Sequence, residues 1–139
     1  MIIALDTNIL VDLWAATPQG QLNSSALSRL AASGHGFVVC GVVYAELHAV
    51  PTITKVALDQ ALLQMLISVD SSSTLKMWEE TGRVHALICQ RRRSAGAVSN
   101  RRPLADHLIG AHALCRTDAL LTHNARDFSD FTTLNIICI

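Results

Sequence analysis

The amino-acid sequence predicts an α/β fold, a three-layer sandwich with a mostly parallel central sheet. Three observations predict it. Runs such as Met1-Ile2-Ile3-Ala4-Leu5 and Phe37-Val38-Val39-Cys40 are apolar throughout, as strands buried on both faces are. The stretches between them repeat apolar residues at helical spacing. The two kinds alternate along the chain, which favours right-handed crossovers onto one parallel sheet.

Taken in order, the first strand leads to Asp6 or Thr7 as a helix cap, after which Ile9, Leu10, Leu13 and Trp14 share one stripe. Pro18 and Gly20 are expected to break that helix. Leu22, Ala26, Leu27, Leu30 and Ala31 define a second, ending near Gly34 and Gly36. Beyond the strand at Phe37, residues 42–50 read as helical until Pro51 stops or kinks them. Residues 56–66 are apolar at Leu58, Ala61, Leu62, Met65 and Leu66, and 67–69 make a short extended piece before the cap cluster Ser71-Ser72-Ser73-Thr74. In the next helix, from 75 to about 92, Leu75, Trp78, Gly82, His85 and Cys89 trace one side. Residues 96–103 are polar and turn-rich, 104–115 are helical, and Ala119-Leu120-Leu121-Thr122 is a strand. Residues 123–131 read as a loop or one short turn, and 134–138 as a last strand. With no repeat and no linker, residues 1–139 are expected to form a single domain.

Composition narrows the function. A chain of 139 residues that is 50% hydrophobic can bury a core without disulfide or metal. Eleven basic and eleven acidic residues give zero net charge, which excludes binding of nucleic acid by overall positive charge; any basic footprint is local. No apolar run reaches the roughly 18–20 residues of a membrane span, and no basic region precedes the apolar N-terminus. The expectation is a cytoplasmic protein with no membrane partner. Cys40, Cys89, Cys115 and Cys138 form no CxxC pair and sit among apolar neighbours, so they read as buried, reduced thiols. His35, His48, His85 and His112 read as partly buried and satisfied.

The acids carry the functional signal. Asp12, Asp59, Asp70, Glu79, Glu80, Asp118 and Asp130 read as solvated surface groups. Four others are placed differently. Asp6 ends the first strand, Glu46 lies in the helix after the second, Asp106 opens the helix at 104–115, and Asp127 follows the strand at 119–122. Strand ends of a parallel sheet share one edge, so these carboxylates should converge on one hollow. Close like charges raise one another's pKa unless a cation neutralises them. Oxygen-only donors suit Mg²⁺ or Mn²⁺ and metal-assisted phosphodiester hydrolysis. Each acid also has a plainer reading: helix cap for Asp6, dipole partner for Asp106, solvated acid for Glu46 and Asp127.

Four segments, Leu5-Asp6-Thr7-Asn8-Ile9-Leu10, Tyr44-Ala45-Glu46-Leu47, Asp106-His107-Leu108-Ile109-Gly110-Ala111-His112-Ala113 and Leu121-Thr122-His123-Asn124-Ala125-Arg126-Asp127-Phe128, together resemble the motifs of PIN-domain ribonucleases. They are most similar to the VapC-type toxins of prokaryotic toxin–antitoxin pairs. The resemblance spans nearly the whole chain in the family's order. It implies a PIN-like fold and a Mg²⁺- or Mn²⁺-dependent endoribonuclease acting on RNA, with Asp6, Glu46, Asp106 and Asp127 as catalytic acids. It implies Asp6 and Asp106 as the direct metal ligands, Thr7 and Asn8 as the pair that orients the first acid, and Thr122 and Asn124 as polar positions bordering the pocket. It further implies a homodimer silenced by a cognate antitoxin. His107 matches no position of the pattern and reads as an exposed helix side chain.

Five of the eleven positive charges, Arg91, Arg92, Arg93, Arg101 and Arg102, bracket the loop before Asp106. Arginine suits phosphate through paired donors, so they read as an RNA cradle, or as the holder of an acidic antitoxin; the plainer reading is a solvated helix end. A phospho-receiver domain would need a lysine near the acids, whereas Lys55 and Lys76 lie in helical stretches away from strand ends. A haloacid-dehalogenase phosphatase would need Asp-x-Asp where Thr7-Asn8 follows Asp6. An inactive PIN-like RNA- or protein-binding module remains the alternative.

Overall fold

The structure is a computed structural model that describes residues 1–96 and 104–139. The strands β1 (Ile2–Leu5), β2 (Gly36–Cys40), β3 (Ile67–Asp70), β4 (Ala119–Thr122) and β5 (Ile136–Cys138) form one sheet. Its order is β3-β2-β1-β4-β5, and every pairing is parallel, with Ala4 of central β1 opposite Val38 on one side and Leu120 on the other. Helices flank it: α1 (Thr7–Trp14), α2 (Pro18–Ala32), α3 (Gly41–Leu47), α4 (Lys55–Gln64), α5 (Leu75–Ala95) and α6 (Leu104–Arg116). A short 3-10 turn spans Ala125–Phe128. The α/β class holds, and the sheet is wholly parallel.

The three inner strands are apolar because both faces are covered. Ile3, Val39, Leu120 and Leu121 are fully buried, each contributing roughly 1.5–3 kcal/mol. The core continues through Ile9 and Leu10 of α1, Val43 and Leu47 of α3, Leu58 of α4 and Ile109 of α6. Among the described residues no helix is long and apolar enough to cross a membrane.

Several local expectations are corrected. Pro18 begins a helix rather than breaking one: Thr17 caps α2 by accepting from the Gly20 amide at 3.1 Å, and proline at the first helical position sacrifices no bond. Gly20 lets α2 press on α1, since a Cβ there would lie 2.4 Å from the Asp12 carbonyl oxygen. The extended piece at 67–69 is a full edge strand, β3. In α5 the buried stripe is Met77, Thr81, Val84 and Ile88, whereas Leu75 and Trp78 are 73% and 52% exposed and His85 is also at the surface. Apolar side chains lie on more than one side of that helix, and packing against α6 selects which side is covered. Leu66 is likewise exposed, after α4 has ended.

Burial also departs from expectation at polar residues. Asp130 is buried and held by Arg91 at 2.7 Å, while its carbonyl accepts from Arg83 at 3.3 Å. His48 and His85 are exposed, and Cys138 is exposed with Cys89 and Cys115 only partly covered; Cys40 alone of the four is buried, and all are free thiols. His107 is fully buried, its ring 5.5 Å from that of His85, because α6 turns this face toward α5.

Candidate active site

Strand β1 lies between β2 and β4, so the chain departs to opposite sides from its C-terminal end and leaves a crevice there. Asp6 stands at that point. Its backbone is still extended while α1 begins at the next residue, and its Oδ1 accepts from the Thr7 amide at 2.7 Å. Its Oδ2 accepts from Asn8 Nδ2 at 2.9 Å and from Thr122 Oγ1 at 2.6 Å. Capping and convergence are therefore not alternatives; one carboxylate does both.

Glu46 comes from the last turn of α3, where the Thr7 hydroxyl donates to its Oε2. Thr7 thus holds Asp6 through its backbone amide and Glu46 through its side chain, while Asn8 orients Asp6 by side chain. Asp106 lies in the first turn of α6 and Asp127 in the 3-10 turn after β4. All four predicted acids line one pocket of about 480 Å³, together with Thr7, Asn8 and Asn124. Thr122 does not line it. It is fully buried behind Asp6 and also accepts from the Asn124 amide at 3.0 Å.

A fifth carboxylate, Asp12, lines the same pocket, where the sequence pattern predicts a solvated surface acid. Asn8, Val11 and Asp12 occupy one face of α1, so the Asn8–Asp12 spacing of one turn was the available signal. His123 Nε2 lies 3.2 Å from Asp12 Oδ2 and 3.1 Å from Asn23 Nδ2, and its Nδ1 lies 2.9 Å from the Ile139 carbonyl oxygen.

Charge dominates this pocket: among its described lining residues are five carboxylates and no lysine or arginine. Burial pushes the Asp6 carboxyl above its usual range and the Glu46 charge adds to this, against the hydrogen bonds from Thr122, Thr7 and Asn8. Asn8 Oδ1 is buried without a hydrogen-bond partner among the described residues. Oxygen donors from several carboxylates fit a hard divalent cation. The acids ring the pocket rather than gripping one point; among the described residues no three side chains form a ready-made metal cluster.

Three of the five predicted arginines are among the described residues. Arg91, Arg92 and Arg93 lie near the end of α5 and do not line the pocket, and Arg91 is engaged by Asp130. Arg101 and Arg102 lie outside the described residues.

Residues 3–133 match the family model of the PIN domain. Among solved structures, a chain of VapBC-1 from nontypeable Haemophilus influenzae is 23% identical with a TM-score of 0.68, covering 99% of this chain and 98% of that one. A chain of VapBC2 from Rickettsia felis, solved bound to a DNA fragment from its promoter, is 21% identical with a TM-score of 0.62 and coverages of 99% and 98%. FitAcB from Neisseria gonorrhoeae gives 16% identity, a TM-score of 0.58 and coverages of 97% and 96%. No curated protein sequence matches the chain.

Proposed function

The chain belongs to the PIN-domain family, and from that premise we propose that it is a metal-dependent endoribonuclease of the VapC toxin type. In this reading residues 1–139 form a single nuclease domain that hydrolyses RNA phosphodiester bonds. It acts in the cytoplasm as a homodimer and is neutralised by a cognate antitoxin. The observation that carries the reading is the carboxylate-lined crevice at the end of β1, with no basic side chain among its described lining residues.

Asp6 and Asp106 would hold Mg²⁺ or Mn²⁺, with Asn8 fixing the orientation of Asp6 and Thr122 anchoring it from behind. A bound divalent cation supplies Lewis acidity toward a phosphoryl oxygen and offsets the charge that builds there. Glu46 is tied through Oε2 to Thr7, which leaves Oε1 to take a proton from an attacking water. Asp127 and Asn124 line the same pocket, from the segment after β4. Arg91, Arg92, Arg93, Arg101 and Arg102 would contact RNA phosphates or an acidic antitoxin.

The test is cleavage of single-stranded and transfer RNA by the purified protein with Mg²⁺, Mn²⁺ or chelator. Cleavage that needs the cation and is lost in Asp6→Asn is the expected result. RNA binding without cleavage under any cation would identify an inactive PIN-like binding module instead.

A further inference from the structure

Asp12 stands where elementary electrostatics disfavours a carboxylate. It lies in the last turn of α1, at the negative end of the helix dipole. It also lines the pocket that holds Asp6, Glu46, Asp106 and Asp127, and like charges gathered in this way oppose one another's ionisation. An ordinary surface acid is left to water, yet this one is held by main chain and side chain alike. Gly20 of α2 packs so closely on its main chain that a Cβ there would lie 2.4 Å from the Asp12 carbonyl oxygen.

The side chain meets His123, which does not itself line the pocket; Nε2 of that ring lies 3.2 Å from Asp12 Oδ2. The ring is fixed at both nitrogens. A main-chain oxygen can only accept, so Nδ1 donates to that of Ile139 at 2.9 Å. Nε2 also lies 3.1 Å from Asn23 Nδ2. Asn23 is fully buried, and its amide is set in turn: Nδ2 donates to the Ile9 carbonyl oxygen at 2.9 Å, and Oδ1 accepts from Gln19 at 3.2 Å. Buried polar groups are costly unless each is engaged. Residues of α2, of the segment after β4 and of the chain beyond β5 are thus committed to the ring that meets one pocket carboxylate.

Building on the ribonuclease reading, we propose that Asp12 is a working fifth acid of the pocket, adding to its hold on a divalent cation, and that His123 is the positioning residue that sets it there. A carboxylate fixed in advance loses less freedom when the cation arrives than one free to turn, and its charge adds to the field that draws the cation in. A staple between α1 and α2 needs no acid at this place. Asn23 already makes that link through the Ile9 carbonyl oxygen, and Gly20 makes it through its close approach.

The test is Mn²⁺ binding to the RNA-free chain, read from the spin-resonance signal of the free ion at fixed pH, with thermal melts in chelator giving the folded fraction. Asp12→Asn should weaken Mn²⁺ binding about tenfold, the lower end of what residues supporting a metal site contribute. His123→Ala should weaken it to a similar degree, and His123→Gln, whose amide can donate to Asp12 Oδ2, should recover most of the loss. In an Asp12→Asn background His123→Ala should add almost nothing, because the two act through one carboxylate. Where the alanine variant does not fold, His123→Asn takes its place, since its shorter amide keeps a donor for Ile139 and removes the group facing Asp12. Unchanged Mn²⁺ affinity in Asp12→Asn would overturn the proposal, and an equal His123 loss in both backgrounds would overturn the positioning role. Mn²⁺ binding that needs Asp6 and ignores Asp12 overturns only the fifth acid. Binding that needs Asp12, without RNA cleavage by the unmodified protein, overturns only the nuclease reading, and no Mn²⁺ binding at all overturns both.

Discussion

Thr122 Oγ1 donates to Asp6 Oδ2 at 2.6 Å and thereby ties together the C-terminal ends of the adjacent strands β1 and β4. The bond is buried and is one of three that Asp6 accepts, so it governs where a carboxylate stands that burial would otherwise drive toward protonation.

Thr122→Val keeps the shape and removes the donor. Loss of a residue that orients a metal-binding carboxylate typically lowers activity or metal affinity about 10–100-fold. Thr122→Val should fall in that range for RNA cleavage, while Thr122→Ser stays near the parent. Initial rates across a Mg²⁺ titration will show it; a wild-type rate and Mg²⁺ response in Thr122→Val would mean that the hydroxyl is only structural.

Asp6 makes a pH-dependent contribution in chelator. Its carboxyl is raised above the ordinary 3.8 in the folded chain. Such a group gives stability that is complete below the unfolded value and lost as pH climbs through the folded one. Asp6→Asn keeps a good helix cap and removes the charge. Thermal melts should find it more stable than the parent at pH 7 by about 1 kcal/mol or less, a few degrees, with the offset shrinking toward pH 4. An offset constant across that range would contradict the assignment.

Asp70 has the opposite sign. Burial opposes its ionisation, but Ser72, Arg116 and His112 hold it low. Its contribution is therefore present above the ordinary 3.8 and lost as pH falls through the lower folded value. Asp70→Asn should destabilise by about 2 kcal/mol at pH 7, the scale of hydrogen bonds to a charged group. In urea titrations the difference between parent and variant should narrow in strong acid.

Gly110 faces the ring of Phe131, where a Cβ would lie 2.3 Å from the nearest ring carbon. Phe131 is itself buried, so shifting its ring disturbs the packing around it. Gly110→Ala should destabilise by about 1–3 kcal/mol, as overpacking does. It should also reduce cleavage beyond the loss of folded protein, because α6 carries Asp106. Activity per folded molecule, with the folded fraction taken from the same melts, separates the two effects.

The convergence of four acids on one candidate site was legible in order along the chain. Apolar runs at 1–5, 37–40 and 119–122 mark strands that must be covered on both faces, and parallel strands put their C-terminal ends on one edge. Asp6, Glu46, Asp106 and Asp127 share a pocket for that reason. Asp12 was not legible as a pocket acid because an isolated helical carboxylate is ordinarily solvated. Its place depends on how α1 is rotated against its neighbours.

The sequence by itself determined the alternation of strands and helices, and with it the edge on which the acids meet. Tertiary structure decided which side of each helix is covered, that β3 closes one margin of the sheet, and that Thr7 reaches Glu46 while Thr122 reaches Asp6. The physical reason is the range over which each choice is made. Strand character and its chain order follow from local apolar runs, whereas helix phase and hydrogen-bond partners follow from surfaces contributed by residues far away along the chain. Trp78 shows the difference: helical spacing allows it to be buried, and only the fit of α5 onto α6 leaves its ring open beside His112.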